Sequence, residues 1–589
     1  MTGPVAPAPS AAQGNLAPSS AHATHLLNEL ASRGLRHVIV SPGSRSQALA
    51  LAAAALAQTG AIHLHVRHDE RQAGFLALGI ARETGLPAAV IVTSGSAVGN
   101  LLPAVMEGAH ADVPMLILSA DRPAELRGIR SSQTTRQHGI FGSFARLSLD
   151  AEAPAPGEDH AARAAEQADS AWRAALGLAG PAAAEATPGP AHLNLAYREP
   201  LSGAAPELPV PIVSPRSDAV PADQTLPGYL HADERPTVVI AGAGAGEAAE
   251  AFAYAAGLPL LAEVVSGARY GRQAISRYAE LLTDPELGGR IERAVVFGVP
   301  SLTRQVPALV QRPGVDTIVV HPGAGERWNP GHAVTSFVSR AEVAPGAPVR
   351  ATRPWLSAWV RRDRELAETH STRHAPDLTA ARETGYKERN SYARAEVRAM
   401  REPITREMLS EMLWQATWPH DRLVLGASRL IRVLDRVAPS RKLTVHSNRG
   451  LAGIDGTVST ALGVALASQD GDEPRHTAGI TRVLLGDVTL LHDLGALQLG
   501  SGEQRPRIQL IVGNDGGGTI FDDLEVASTA EATAFDRVML TPHTADLGAL
   551  AAATGWHFQR ASTRVELERA FTAPVAGPSI IEVPLPRRG

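Results

Sequence analysis

The chain has no cysteine among its 589 residues. That absence excludes disulfides, thiolate metal sites, iron–sulfur clusters and a cysteine nucleophile, so any chemistry must use carboxylates, histidines, hydroxyls, arginines or a borrowed cofactor. Charge of one sign is not in large excess either: the net charge of −5 gives no sign of nucleic-acid binding. The first lysine or arginine is Arg33, so the Ala-, Pro- and Ser-rich start carries no charged leader region, and no secretory signal is expected. Long hydrophobic runs are missing as well. The longest, "ALALAAAALA" from Ala48, is half the length of about 20 residues that a membrane-spanning helix needs. A cytoplasmic protein with no membrane association is the resulting expectation.

What is present is an ordinary globular composition, 44% apolar and 20% charged, in a chain too long for one core, so two to four domains are expected. Residues 1–21 read as a disordered tail. Within 22–205, "THLLNELASRG" sets Leu26, Leu27 and Leu30 on one helical face, with Gly34 where a C-terminal cap belongs, and "HVIV" follows as a buried strand. "IHLHV", "AAVIVT" and "MLILS" repeat the strand signal between helix-like stretches. A Pro- and Ala-rich linker is expected over 206–229, a second α/β block over 230–350, a charged helical connection over 351–400 and a third α/β block over 401–589. Strands alternating with helices make a parallel sheet, so the predicted fold class is α/β with three doubly wound parallel-sheet domains.

Each strand of the first block ends in a polar cluster: "SPGSRS", "RHDER", "TSGSA" and "ADRPAE". Ligands of open α/β sheets bind beyond the carboxyl ends of the strands, so these clusters are predicted to line one crevice. In the second block "AGAGAG" offers Gly242 and Gly244 for a dinucleotide turn, but Glu247 stands where the third glycine belongs, and a structural strand-to-helix turn is the simpler reading. The third block is more specific. Asp487 follows one apolar strand in "GDVTLLHDLGAL", and Asn514 follows another in "IVGNDGGG". Mg²⁺ favours oxygen ligands shared with phosphates, so the Asp487 carboxylate, the Asn514 amide oxygen and a backbone carbonyl near Gly516 can meet on one ion. The glycines that follow then let a diphosphate approach the main chain.

"GDV" followed by "NDGGG" resembles the thiamine diphosphate signature, with Val488 in place of a third glycine and Asp515 where a second asparagine can occur. The resemblance implies thiamine diphosphate and Mg²⁺, or Mn²⁺, as cofactors. It also implies that Glu70 of "HVRHDERQAGF" contacts the aminopyrimidine ring and that Ile454 of "SNRGLAGIDG" bends the cofactor. "SPGSRSQALA", "TSGSAVGNLLPAV", "SADRPAELRGIRSSQTTRQHGIFG" and "SNRGLAGIDGTVSTALG" narrow this: they are similar to the MenD family of menaquinone biosynthesis, 2-succinyl-5-enolpyruvyl-6-hydroxy-3-cyclohexene-1-carboxylate synthases. That family typically lacks the third glycine at Val488. Its transferase activity joins 2-oxoglutarate to isochorismate with loss of CO₂.

What this likeness implies, position by position, is a catalytic pair Glu70 and Gln133. Substrate contacts are implied for Arg45, Arg122, Ser132, Gln133, Arg304, Ser428, Arg432 and Arg449, since two dianionic substrates call for several guanidinium forks. Cofactor contacts are implied for Glu70, Ser428, Gly453, Ile454, Gly486, Asp487, Val488, Thr489, Asn514, Gly516, Gly517 and Ile520, and metal ligation for Asp487, Asn514 and Gly516. Thr303 replaces a lysine often found beside Arg304. A homodimer or homotetramer is implied, with Glu70 and the metal motif of one site drawn from different subunits. Acetolactate synthase or a 2-oxoacid decarboxylase, a nicotinamide oxidoreductase using "AGAGAG", and a non-catalytic scaffold stay open as alternatives.

Overall fold

A computed structural model describes residues 16–178, 187–213, 228–230, 235–323, 325–344, 352–372, 377–382, 384–471, 473 and 477–587. It divides into two compact units, Met1–Val220 and Pro221–Gly589. In the first, the helix Pro18–Ser32 buries Leu26, Leu27 and Leu30 as their spacing dictates, and it opens on a proline, whose missing N–H is tolerated at a helix start. The helix corrects the expected tail: residues 18–21 are helical because Ser19, Ser20 and Ala21 are buried, while residues 1–15 lie outside the described residues.

Strands β1 (His37–Val40), β2 (His63–Val66), β3 (Ala88–Val92), β4 (Met115–Asp121), β5 (Leu147–Ala151) and β6 (Pro190–Ala196) form a parallel sheet of order β2-β1-β3-β4-β6-β5. β3 and β4 are buried at every residue, which is why they read as continuous apolar runs: helices cover both faces of such a sheet.

The second unit holds β7 (Gly228–Leu230), β8 (Thr237–Ala241), β9 (Leu260–Ala262), β10 (Arg293–Phe297), β11 (Asp316–Val320), β12 (Ser336–Val338) and β13 (Ala341–Val343). β8 to β12 build a parallel sheet of order β12-β11-β10-β8-β9, and β7 pairs with β13. Alternate residues of β8 enter opposite cores, Val238 and Ile240 with Trp359 of helix Arg353–His370, Val239 and Ala241 with Phe252 of helix Gly246–Ala256. The expected linker falls outside the described residues from 214 to 227, and the division between the units lies within it. The charged connection is helical over Arg353–His370, Leu378–Arg382 and Tyr386–Met400.

β14 (Arg422–Leu425), β15 (Thr444–His446), β16 (Thr481–Gly486), β17 (Ile508–Asn514), β18 (His557–Arg560) and β19 (Ser579–Pro584) complete the chain in a parallel sheet of order β15-β14-β16-β17-β19-β18, the topology of the first sheet again. Val264, Val265 and Leu302 of the middle block share a core with Leu425, Leu484 and Ile511, so these two blocks pack as one body. In every large sheet the first strand lies between the second and third. The chain reverses its direction of winding there, and the crevice beyond those strand ends is where such sheets bind ligands. No described helix is long and apolar enough to cross a membrane.

Candidate active site

At the winding reversal of the first sheet, the loops after β1 and β3 touch. A Cβ on Gly43 would lie 2.2 Å from Thr93 Cβ, so only glycine fits. Arg45 is buried beside it and donates to the Tyr197 carbonyl at 3.1 Å, while its Nε, Ser41 Oγ and Thr93 Oγ1 are buried with no hydrogen-bond partner. Arg122, just after β4, donates to Ser94 Oγ at 2.5 Å and to the Gln133 carbonyl at 3.1 Å. Gln133 adopts φ +53° and crowds Gly95, whose Cβ would lie 2.9 Å from Gln133 Cγ. Ser94, Arg122 and Gln133 thus meet, with Ser132 exposed next to them. Burial first, and then the like charge of Arg122, hold the Arg45 pKa below its ordinary value.

Glu70 is the first residue of helix Glu70–Thr84, whose cap is Asp69, accepting from Arg71 N at 2.8 Å. Its Oε2 accepts from Asn100 Nδ2 at 3.0 Å, and the side chain is only half-buried, so the carboxylate is positioned without being sealed off.

In the second unit the loops after β14 and β16 close on one spot. Ser428 caps helix Arg429–Val437, its Oγ accepting from Leu430 N at 3.3 Å, and a Cβ on Gly486 would lie 3.6 Å from Ser428 Cβ. Thr489 is buried near Gly426, and Val488 is half-buried. Gly453 and Ile454 are half-buried in the loop before helix Thr457–Ser468, where Thr457 Oγ1 donates to the Ile454 carbonyl at 3.1 Å. Arg449 donates from Nε and Nη2 to Ser301 Oγ at 3.0 and 2.7 Å, which joins the third block to the middle one. Arg304 begins helix Gln305–Val310, and Thr303 Oγ1 is buried with no hydrogen-bond partner. Partial withdrawal from water and then the neighbouring Arg304 charge lower the Arg432 pKa.

The carboxyl ends of β16 and β17 bring Asp487, Asn514 and Gly516 together. Asp487 Oδ2 accepts from Gly516 N and Gly517 N, both at 2.9 Å, and from His543 Nε2 at 3.0 Å; Oδ1 accepts from Val488 N at 2.7 Å. Asn514 Oδ1 accepts from the same Gly516 N at 3.2 Å. Its Nδ2 donates to Glu582 Oε1 on the adjoining β19 at 2.7 Å, which turns the amide oxygen toward Asp487. Burial and then Asp515 raise the Asp487 pKa, a carboxylate environment that a divalent cation relieves. Hard oxygen donors and an under-compensated buried charge fit Mg²⁺. Among the described residues no group of three or more His, Asp or Glu is placed to hold a metal, so this mixed carboxylate, amide and carbonyl set is the candidate.

Residues 21–142 match the family described as "Thiamine pyrophosphate enzyme, N-terminal TPP binding domain". Proteins named 2-succinyl-5-enolpyruvyl-6-hydroxy-3-cyclohexene-1-carboxylate synthase align along nearly the whole chain. One from Leifsonia xyli subsp. xyli is 53% identical and one from Clavibacter michiganensis subsp. michiganensis 50% identical, each over 97% of both chains. One from Paenarthrobacter aurescens is 41% identical over 94% of this chain and 92% of its own. The chain belongs to this synthase family. It is a member of the thiamine diphosphate-dependent enzymes.

Within the synthase frame one expectation needs correction. Of the glycines after Asn514, only Gly516 faces open space, at φ +80°. A Cβ on Gly517 would lie 2.4 Å from the Leu540 carbonyl oxygen, and one on Gly518 2.8 Å from that of Met539. The close neighbour at Gly517 and Gly518 is therefore the chain's own Asp536–Leu540 segment, and only Gly516 is left with open space beside it. Ile520 is half-buried just beyond, in the turn Thr519–Asp523. Asp515 is engaged elsewhere, accepting from Arg406 Nη2 at 2.8 Å and Thr519 Oγ1 at 2.6 Å. The "AGAGAG" turn is filled by protein too, since a Cβ on Gly242 would lie 2.1 Å from Pro300 N.

Sequence reasoning missed Asn100, Ser94, Ser301, Glu582 and His543. His543 Nδ1 accepts from Ala545 N at 3.3 Å, which leaves Nε2 as the protonated nitrogen facing Asp487. No motif spacing points to it.

Proposed function

We propose that this synthase-family member decarboxylates 2-oxoglutarate and adds the resulting succinyl unit to isochorismate, giving 2-succinyl-5-enolpyruvyl-6-hydroxy-3-cyclohexene-1-carboxylate in menaquinone biosynthesis. The observation that carries this reading is uncompensated positive charge. Among the described residues, Arg45, Arg122, Arg304 and Arg432 form no ion pair, and Arg45 and Arg432 are depressed in pKa by burial and then by an arginine neighbour. Such groups favour dianionic carboxylic acids, and guanidinium forks recognise carboxylates two bonds at a time.

Bound thiamine diphosphate supplies the carbanion equivalent that makes decarboxylation and C–C bond formation feasible. The chain's own residues do the rest. Asp487, Asn514 and the Gly516 carbonyl would hold Mg²⁺ and with it the diphosphate, with Gly486, Val488, Thr489, Gly517 and Ile520 around them. Ile454, Gly453 and Ser428 would shape the cofactor's seat. Glu70, oriented by Asn100, would hold or move a proton at the aminopyrimidine ring. Gln133 and Ser132 would orient the acceptor, and the arginines would bind carboxylates. We read the protein as cytoplasmic, as a homodimer or homotetramer in which Glu70 and the metal residues of a site come from different subunits.

Arg45→Ala and Arg432→Ala test the charge argument. Truncating one member of a desolvated charge pair costs roughly 2–5 kcal/mol, so kcat/KM should fall by about 30-fold or more, while calorimetric cofactor affinity stays unchanged. Turnover equal to the parent enzyme would contradict it.

A further inference from the structure

A buried carboxyl with no part in this chemistry lies directly behind the loop that Arg449 grips. Glu263 follows β9, and only 1% of its surface is exposed. Its Oε1 accepts from Ser301 N and Leu302 N, both at 2.7 Å, while Oε2 is buried with no hydrogen-bond partner. Ser301 is the residue that Arg449 grips: Nε and Nη2 donate to its Oγ at 3.0 and 2.7 Å, and Nη2 to its carbonyl at 3.3 Å. Arg304 stands at the end of the same short loop, at the start of helix Gln305–Val310.

The next residue ties down the other arginine-bearing element. Val264 N donates to Asp435 Oδ1 at 2.8 Å, and Asp435 sits on the helix Arg429–Val437 that carries Arg432. Tyr278 donates to Asp435 Oδ2 at 2.5 Å, and Arg269 Nη1 lies 3.4 Å from Oδ1. Two consecutive residues at the carboxyl end of β9 thus hold the Ser301–Arg304 loop and the Arg432 helix in register. A buried ionisable group is costly, and an apolar side chain with a separate acceptor would hold a loop at less cost. Something besides packing keeps a carboxyl here.

We infer that Glu263 is a positioning residue for the substrate arginines, fixing the Ser301–Leu302 turn and, through Ser301, the Arg449 guanidinium. This rests on the reading that Arg449 binds a substrate carboxylate. The charged and titratable groups that act on Glu263 are Asp435, Tyr278 and Arg449, and Arg269 acts on Asp435 in turn. Burial, and then the Asp435 charge, push the Glu263 pKa up to about 8, while Arg449 works in the opposite direction. Below that value Glu263 is neutral and leaves the Arg449 charge for the substrate. Above it, the new carboxylate competes for Arg449 from behind.

Two measurements on the cofactor-loaded enzyme test this. The first is a double-mutant cycle with Ser301→Ala and Arg449→Ala; Ser301 is exposed and its alanine variant should fold. Alone, Ser301→Ala should raise KM for isochorismate by about 5- to 10-fold with little change in kcat, and in the Arg449→Ala background by less than about 2-fold. The second is the pH profile of KM from about 7 to 9 for the parent and Glu263→Gln, which keeps an acceptor oxygen but cannot ionise. The parent KM should rise as pH passes about 8, and the glutamine variant should stay flat. Independent, multiplying effects of Ser301→Ala and Arg449→Ala, or a Glu263→Gln profile that tracks the parent, would overturn the inference. If Arg449→Ala itself left KM unchanged, the arginine reading would fail, which is a separate outcome.

Discussion

Asp487 concentrates the argument at the scale of single residues. It is 1% exposed and takes three N–H donors on one oxygen, yet burial and then the Asp515 charge still raise its pKa. Asp487→Ala should therefore remove the Mg²⁺ dependence of cofactor binding, because the diphosphate would meet no fixed cation. Calorimetric titration with and without EDTA checks this, and equal affinity in variant and parent would refute it. Asp487, Asn514 and Glu70 were legible because each sits at the end of an apolar strand or at a helix start, where sequence position fixes location. His543 was not legible, since its bond to Asp487 spans 56 residues and His543 lies in the irregular stretch after the Asp536–Leu540 segment, where no strand end or helix start fixes its place. Gly517 and Gly518 were legible as close approaches, but a glycine does not say whether its neighbour is a ligand or its own chain. Here the neighbours are the carbonyls of Leu540 and Met539.

At the scale of elements, strand ends position nearly every candidate residue. Parallel strands buried on both faces appear as unbroken apolar runs, so their ends, and the loops beyond, could be placed from sequence. The helix from Pro18 could not, because its Ala- and Ser-rich first turn has the composition of a tail and is helical only through burial against the domain. The "AGAGAG" turn makes a sharp prediction. Val299 and Pro300 backbone atoms lie 2.1 to 2.5 Å from where a Gly242 Cβ would sit, and backbone cannot rotate away. Gly242→Ala should destabilise the second unit by about 1–3 kcal/mol or more, the range for overpacking, and chemical denaturation measures it directly. Unchanged stability would mean that the loop is loose enough to admit a ligand.

For the whole molecule, the repeated winding order of the first and last sheets and the merging of middle and last blocks into one unit set what each part contributes. Glu70 belongs to one compact unit and Asp487 to the other. If a working site combines the two from different subunits, inactive Glu70→Gln and inactive Asp487→Ala proteins mixed under subunit exchange should recover up to about a quarter of parental activity, by random assembly of dimers with one intact site each. No recovery despite proven exchange would place each site within one chain.

The central claim is substrate choice, and a donor and acceptor panel tests it most directly. With the purified enzyme, thiamine diphosphate and Mg²⁺, CO₂ release and loss of isochorismate are followed with 2-oxoglutarate or pyruvate as donor, and the product mass is determined. Pyruvate lacks the distal carboxylate and would leave guanidinium groups unpaired, a loss worth about 10⁴-fold in sites built to bind a polar group. The expected result is rapid, isochorismate-dependent CO₂ release from 2-oxoglutarate alone, with a succinyl adduct as product. Equal turnover of pyruvate, or acetolactate formed without isochorismate, would contradict the account.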